Sequence, residues 1–290
     1  MSAVSESMAQ RMTLGMLAER YGFDLDPQFS AGVTVTSLSD ATDSVIPGAL
    51  FICDGDQVSD VAHAEQAGAY AALLPRALKG RCPQSGIPLL FGELNDHVLG
   101  DMASNLAGTP SNAMAVFAVA GSDDDTINAG VSQLADFLHM LGNPVAVINS
   151  TGSTSMTRTL NLTYPIGILD MQRVLAVCAD DGVAAVIIAM NESTLRDHAL
   201  ESVNVDVLGS EHAPAGGGLP ALRTRYAFVS EQSLTMTTTT IESDELAADS
   251  PAMNDPARLG HMSLAIAMVL AAGVRRNNVR SALRVANNLN

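Results

Sequence analysis

Apolar positions in this chain come in short runs separated by Gly, Pro and Asp-rich turns, and from residue 111 onward strand-like and helix-like spacing alternate. Residues 14–20 read as a short helix. Val33 and Val35 alternate with polar neighbours, Pro47 and Gly48 mark a turn, and residues 49–53 form an apolar strand, so a β-turn-β opening is the simplest reading. A helix near 61–67 stopped by Gly68, strands at 69–74 and 88–91, and a helix around 95–106 complete a small α/β unit. Residues 107–112 have the composition of a linker. Beyond it come strand 114–120, helix 127–141, strand 144–149, helix 168–178 and strand 183–190. Repeated βα units predict a doubly wound, mostly parallel sheet. Ile127, Val131, Leu134, Leu138 and Leu141 share one helical face, as do Ile168, Met171, Leu175 and Cys178; both stripes are packing faces. Beyond 203–207 the order is looser, with a turn at 216–218, strands at 226–230 and 234–241, and an acidic stretch, 242–255, read as a solvated loop. Two helices close the chain, one with Met262, Ile266, Val269 and Leu270 on a face, the other with Val279, Ala282, Leu283 and Ala286. The expectation is an α/β protein with domains at 1–110 and 111–290.

The length of 290 residues agrees with two domains. A hydrophobic content of 47% against 16% charged residues excludes wholesale disorder. The net charge of -16 is shared equally between the two predicted domains, so a polyanion meets repulsion over both, which argues against nucleic acid and anionic membrane as partners. Cys53, Cys82 and Cys178 form no CxxC pair and read as reduced thiols. The N-terminus has no signal-peptide pattern, and the longest apolar stretch, 263–274, is too short to span a bilayer; the expected compartment is the cytoplasm, with no membrane insertion.

The most informative segment for chemistry follows strand 114–120, because a strand end opening into a helix is where α/β folds hold phosphates on backbone amides, glycines and a lysine. Here the loop reads Ala120, Gly121, Ser122, Asp123, Asp124, Asp125, Thr126. Lys79, in the first domain, is the only lysine of the chain. The three aspartates read as a helix N-cap; the alternative is a divalent-cation site. His63, His97, His139, His198 and His261 are scattered without ligand spacing, and Ser150 and Ser153 sit in a Ser/Thr/Gly loop without His or Asp support.

Several segments resemble the first two domains of the Mur ligases, in particular the UDP-N-acetylmuramoyl-tripeptide synthetase branch. Ile46 to Ile52 (IPGALFI) is similar to that family's PGDLF segment, and Ala64 to Ala69 (AEQAGA) to its A-x-x-x-GA helix end. Pro110-Ser111 stands eleven residues before Gly121, the family's spacing from its linker Pro-Ser to the glycine of TGTNGKTT. Thr163-Tyr164-Pro165 resembles the TTP motif that contacts substrate, Ala189-Met190-Asn191-Glu192-Ser193 the AMEVS motif, and Glu211-His212 the Asp-His near the magnesium site. On this resemblance Asp125 stands at the catalytic lysine and Asn191 at the metal glutamate, with Glu192 one residue off register and expected on the opposite side of its strand. The carbamoylated lysine has no candidate, no arginine near 40–44 matches the uridine-binding Asp-Ser-Arg, and the third, C-terminal ligase domain is absent from the pattern.

The resemblance with these departures implies a pseudoenzyme of peptidoglycan synthesis, a non-catalytic partner or regulator with no catalytic residues, no cofactor and no metal. Thr163, Tyr164 and Pro165 are its candidate substrate contacts, Glu192, Glu211 and His212 its weak metal candidates, and a cell-wall protein or a UDP-N-acetylmuramoyl peptide its partner. Two alternatives stand beside it. One is an ATP- and magnesium-dependent ligase with an altered nucleotide site, Arg158 or Arg173 reaching the phosphates, or with a second chain supplying the missing domain. The other is a non-catalytic sensor of UDP-sugar peptide lined by Thr163, Tyr164 and residues 150–156.

Overall fold

The computed structural model describes residues 12–289 apart from 54, 56–57, 82–84, 213, 215–216, 231–232 and 251–254. Cys82, Gly216 and part of the acidic stretch therefore lie outside the described residues. The chain divides into two compact units, Met1–Thr109 and Pro110–Asn290.

The first unit contains β1 (Met12–Thr13), α1 (Leu14–Tyr21), β2 (Asp24–Asp26), β3 (Thr34–Val35), β4 (Ser37–Ser39), β5 (Ala49–Ile52), α2 (Asp60–Ala67), β6 (Ala71–Pro75), β7 (Leu89–Gly92) and α3 (Asp96–Leu106). Its five-stranded sheet runs β2-β7-β6-β5-β4, with β4 to β7 parallel and β2 antiparallel at the edge. Strand alternation divides its apolar residues between two faces: Phe51, Ala72, Leu74 and Phe91 pack with Val61 and Ala64 of α2, while Leu50, Leu73 and Leu90 are buried on the other side. The end of α2 and the start of α3 follow from local chemistry. Gly68 closes α2 at φ +104°, where its N–H reaches the carbonyl of Ala64, and Asn95 caps α3 by accepting from the Val98 N–H at 2.9 Å. The expected β-turn-β opening is corrected. Val35 belongs to β3, which pairs antiparallel with β1 in a separate ribbon, and β4 runs parallel to β5, so the Pro47-Gly48 segment ends a crossover and not a hairpin.

The second unit contains β8 (Ala115–Val119), α4 (Asp124–Met140), β9 (Val145–Ile148), β10 (Ser153–Ser155), β11 (Arg158–Leu160), α5 (Ile168–Asp180), β12 (Ala185–Ala189), β13 (Val207–Gly209), α6 (Leu219–Tyr226), β14 (Met236–Thr237), α7 (Ile241–Ala248), α8 (Pro256–Ala271) and α9 (Arg276–Leu289). The seven strands lie in the order β11-β10-β9-β12-β8-β13-β14; β9, β12, β8, β13 and β14 are parallel, and β10 and β11 form an antiparallel extension. Helices cover both faces. Phe117, Val119, Ile187 and Val207 pack with Val131 and Leu134 of α4, Leu246 of α7, Ile266 of α8 and Leu283 of α9. Val116, Ala118, Val186, Ile188 and Leu208 pack with Met171 and Leu175 of α5 and with Leu222 and Tyr226 of α6. Fully burying one such aliphatic or aromatic side chain contributes about 1.5–3 kcal/mol, so the alternation along β8 and β12 fixes their register in the sheet.

Three local expectations are corrected here. The hairpin β10–β11 occupies a segment read as loop, since its Ser, Thr and Arg residues carry no apolar alternation. Residues 226–230 are not a strand: Tyr226 ends α6, Ala227 adopts the left-handed conformation at φ 59°, and only Val229 bridges to Asn204. The acidic stretch begins as a helix, α7, with a Thr240–Ser243 capping box and with Leu246 and Ala247 buried.

Candidate functional site

Because β8, β12 and β13 lie side by side and parallel, the loops that follow them gather at one edge of the second sheet, the edge where open α/β folds place their ligands. The loop after β8 is short. Gly121 sits where an added Cβ would come within 2.9 Å of the Ile127 Cγ1, so the glycine is accounted for by the first turn of α4 packing back onto it. α4 starts three residues before the expected position because Asp123, in extended conformation, caps it: its carboxylate accepts from the Thr126 N–H at 2.9 Å, from the Thr126 hydroxyl at 2.9 Å and from the Ser122 hydroxyl at 2.7 Å. These bonds, led by the Thr126 backbone N–H, hold the Asp123 carboxyl below the usual carboxylate range. The helix end that holds phosphate in other proteins thus carries a carboxylate of its own.

Above this loop lies a cleft of about 440 Å³ lined by Gly121 to Asp124, Ile127, Met190 to Ser193, Pro214, Leu222, Arg225 and Tyr226. Asp124 accepts from the Ser193 hydroxyl at 2.7 Å, and Ser193 shares a 3.0 Å hydrogen bond with Ser150 at the end of β9. Arg225, on the last turn of α6, donates to Glu192 at 2.7 Å and to Asp197 at 2.9 Å, which raise the guanidinium's hold on its proton. Tyr226 is buried beside it, and that burial raises the phenol's pKa. Asn191 is buried; its Oδ1 accepts from the Thr194 N–H at 3.0 Å, while its Nδ2 has no partner.

Of the residues singled out from sequence, Gly121, Ser122, Asp123, Asp124 and Glu192 line this one cleft, and Asp125 and Thr126 follow on the same helical turn. Glu192 was expected on the opposite side of its strand. β12 ends at Ala189, so the alternation that places side chains on a strand no longer applies three residues later, and Glu192 turns into the cleft. Thr163, Tyr164 and Pro165 lie elsewhere. Thr163 is exposed in a separate groove of about 300 Å³ with Leu160, Asp170 and Arg173, the Tyr164 hydroxyl meets Ser153 at 2.5 Å, and the Pro165 carbonyl accepts from Arg196 at 3.0 Å. Glu211 pairs with the Nδ1 of His261 on α8, whereas the His212 side chain is exposed and its carbonyl accepts from the Ser210 hydroxyl at 2.5 Å. Among the described residues no three His, Cys, Asp or Glu side chains are grouped to hold a metal ion. Arg158 and Arg173, either of which the alternative ligase reading had reaching the phosphates, pair with Asp181 and Asp170 and do not line the cleft. The cleft's cation is Arg225, which sequence reasoning missed; the only signal was an Arg in a segment misread as leading into a strand. Cys53 and Cys178 are buried thiols not joined in a disulfide, and burial pushes the Cys178 thiol up to about 11. Among the described residues no helix is long and apolar enough to cross a membrane.

No family model and no curated protein matches the sequence. Solved structures do match. A MurF from Acinetobacter baumannii superposes with a TM-score of 0.56 at 13% identity, over 96% of this chain and 68% of that one. A UDP-N-acetylmuramoyl-L-alanyl-D-glutamate:2,6-diaminopimelate ligase superposes with a TM-score of 0.59 at 13% identity, over 96% of this chain and 66% of that one. The fold is that of the Mur ligases. This chain spans about two thirds of the length of those Mur ligases, and both its units are included in the match. At such low identity the match establishes the Mur ligase fold, while the chemistry of the site must be argued from this chain's own residues.

Proposed function

We propose that this chain is a Mur-ligase-like protein of peptidoglycan synthesis that acts without ATP-driven ligation, as a non-catalytic partner or regulator of cell-wall enzymes. The observation that carries the reading is the N-terminus of α4, where the Asp123 carboxylate takes the Thr126 N–H and two hydroxyls. The residues around it do not fit a nucleoside triphosphate with its magnesium. Asp124 and Glu192 add negative charge to the cleft, Asp125 follows on the same turn, and Arg225 is already held by two carboxylates. The chain's one lysine, Lys79, pairs with Asp24 in the first unit. The cell-wall assignment is supported by the structural neighbours, which are ligases of UDP-N-acetylmuramoyl peptides.

A UDP-N-acetylmuramoyl peptide or another cell-wall protein is the partner this reading favours, in the cytoplasm where such precursors would be met. Purified protein with ATP, magnesium, a UDP-N-acetylmuramoyl peptide and an amino acid should release no phosphate above a protein-free control. Phosphate release that disappears on substituting Asp124 would show instead a ligase with an altered site, in which Arg225 replaces the lysine.

A further inference from the structure

We infer that α7 and α9 form a self-complementary face on which a second copy of this chain docks about a two-fold axis, giving a weak homodimer. The inference is independent of what the cleft binds. Charge is unevenly spread along the second unit: residues 256–290 hold five of the chain's 15 Lys and Arg and none of its 31 Asp and Glu. Four of those five are Arg275, just before α9, and Arg276, Arg280 and Arg284 within it. Val279 and Leu283 bury one side of α9 against the core, and Arg276, Arg280 and Arg284 recur every four residues along a flank. Like charges at that spacing weaken a helix unless acids answer them. Arg276 is answered by two residues of α7, Glu242 at 3.1 Å and Glu245 at 3.4 Å. Arg280 and Arg284 are exposed and have no acidic partner among the described residues.

α7 is the counterpart, with three acids and no base. Ser243, Leu246 and Ala247 face the core, which leaves Ile241, Glu245 and Ala248 on the outer side with Glu242 at the flank. Because Arg276 ties the two helices together, an acidic surface and a basic one lie side by side on the same copy. A two-fold axis sets α7 of each copy against α9 of the other, so both contacts join opposite charges and the assembly closes at two. Each helix also offers an apolar side chain to solvent. Ile241, 81% exposed, and Val285, 59% exposed, are the two most exposed large apolar residues among the described residues of the second unit. An acidic foreign protein would satisfy Arg280 and Arg284 but would meet Glu245 with like charge and leave Ile241 in water, so a second copy is the occupant that fits both helices. Helices of eight and 14 residues span roughly 12 and 21 Å, which puts this face at the small end of specific interfaces, with an expected Kd of about 10–500 μM. The net charge of -16 on each copy opposes approach at low salt, whereas at about 0.15 M salt charges beyond roughly 8 Å are screened and those in contact persist.

Sedimentation equilibrium of the full chain, from about 10 μM to about 1 mM protein at about 0.15 M salt, reads the outcome. The protein should pass from monomer to dimer and no further, and the Kd should rise at least several-fold at about 1 M salt. Arg280→Glu with Arg284→Glu should weaken dimerisation at least tenfold. Glu245→Arg with Ala248→Arg should do the same while leaving the Glu242 to Arg276 pair in place. All four positions are exposed, so circular dichroism and Tm should match the unmodified chain. Mixing the two charge-reversed variants restores opposite charge at both contacts, and a heterodimer should form with about the unmodified affinity. A chain still monomeric at the highest concentration, growth beyond two copies, self-association untouched by either reversal, or a mixture that forms no heterodimer overturns the proposal.

Discussion

Replacing Asp124 by Gly and Asp125 by Lys tests the electrostatic argument by giving the loop the charge a phosphate needs. Both positions are exposed, so the water limit of Coulomb's law applies: a carboxylate about 4 Å from a phosphate charge costs about 1 kcal/mol. Removing two such repulsions and adding one lysine attraction of similar size comes to about 3 kcal/mol, or roughly a hundredfold in affinity. Asp123 stays in this variant and keeps α4 capped, but it also keeps the Thr126 N–H occupied; adding Asp123→Gly frees that donor. Calorimetry with magnesium ADP and magnesium ATP should therefore show affinity appearing in the double variant, rising again in the triple variant, and falling with salt in both. Ligation should not return if, as the resemblance to the Mur ligases implies, Asn191 stands where that family has its metal-binding glutamate. A wild-type protein that binds nucleotide as tightly as the variants, or variants that gain nothing, would refute the claim that charge at this loop excludes nucleotide.

The packing that places the site makes its own predictions. Leu134→Ala, at a fully buried position of α4, should cost about 2–5 kcal/mol and lower the Tm of the second unit by roughly 5–15 °C in calorimetric scans. Gly209 is where β13 meets α8, an added Cβ falling 2.2 Å from the Met268 Sδ; Gly209→Ala should destabilise by about 1–3 kcal/mol, and Met268→Ala in the same chain should cost less than the two single changes added together, as read by urea denaturation. Two titrations bound the stability curve. Asp123, depressed when folded, contributes stability above its unfolded pKa that is lost as pH falls through the depressed value, and Asp123→Asn should flatten this acid limb. Tyr226, raised when folded, contributes stability that is complete below the unfolded phenol pKa and is lost as pH rises through the raised value; Tyr226→Phe should flatten that alkaline limb.

How much of this was legible in the sequence follows from what each residue depends on. The α4 and α5 stripes, the strands at Val116–Phe117 and Val186–Ile188 and the N-cap chemistry of the Asp triplet are local patterns, and period and capping preference reveal them. The fold resemblance carried by Pro110-Ser111 and the Gly121 spacing was readable for the same reason, because a loop length between fixed elements is written in sequence. Glu192 in the cleft was not readable, since its direction depends on where β12 stops hydrogen bonding. Arg225 was hidden further, because it reaches Glu192 and Asp197 only once α6 has packed Leu222 and Tyr226 onto the sheet. The pairing of Glu211 with His261 spans fifty residues and joins a strand end to α8, a contact that no local spacing encodes. The hairpin β10–β11 was missed because its stability comes from pairing with β9, while its own side chains are polar.

The central claim is that a cleft with Mur ligase architecture has lost its use for nucleotide, and a titration of magnesium ATP into the unmodified full chain tests it most directly. Calorimetry at low salt, repeated with a UDP-N-acetylmuramoyl peptide present, should give no saturable heat, and the Tm should not move with nucleotide concentration. Saturable binding with a 1:1 stoichiometry, weakened by Arg225→Ala and accompanied by a rising Tm, would contradict it and place the phosphates on the helix end whose Thr126 N–H donates to the Asp123 carboxylate.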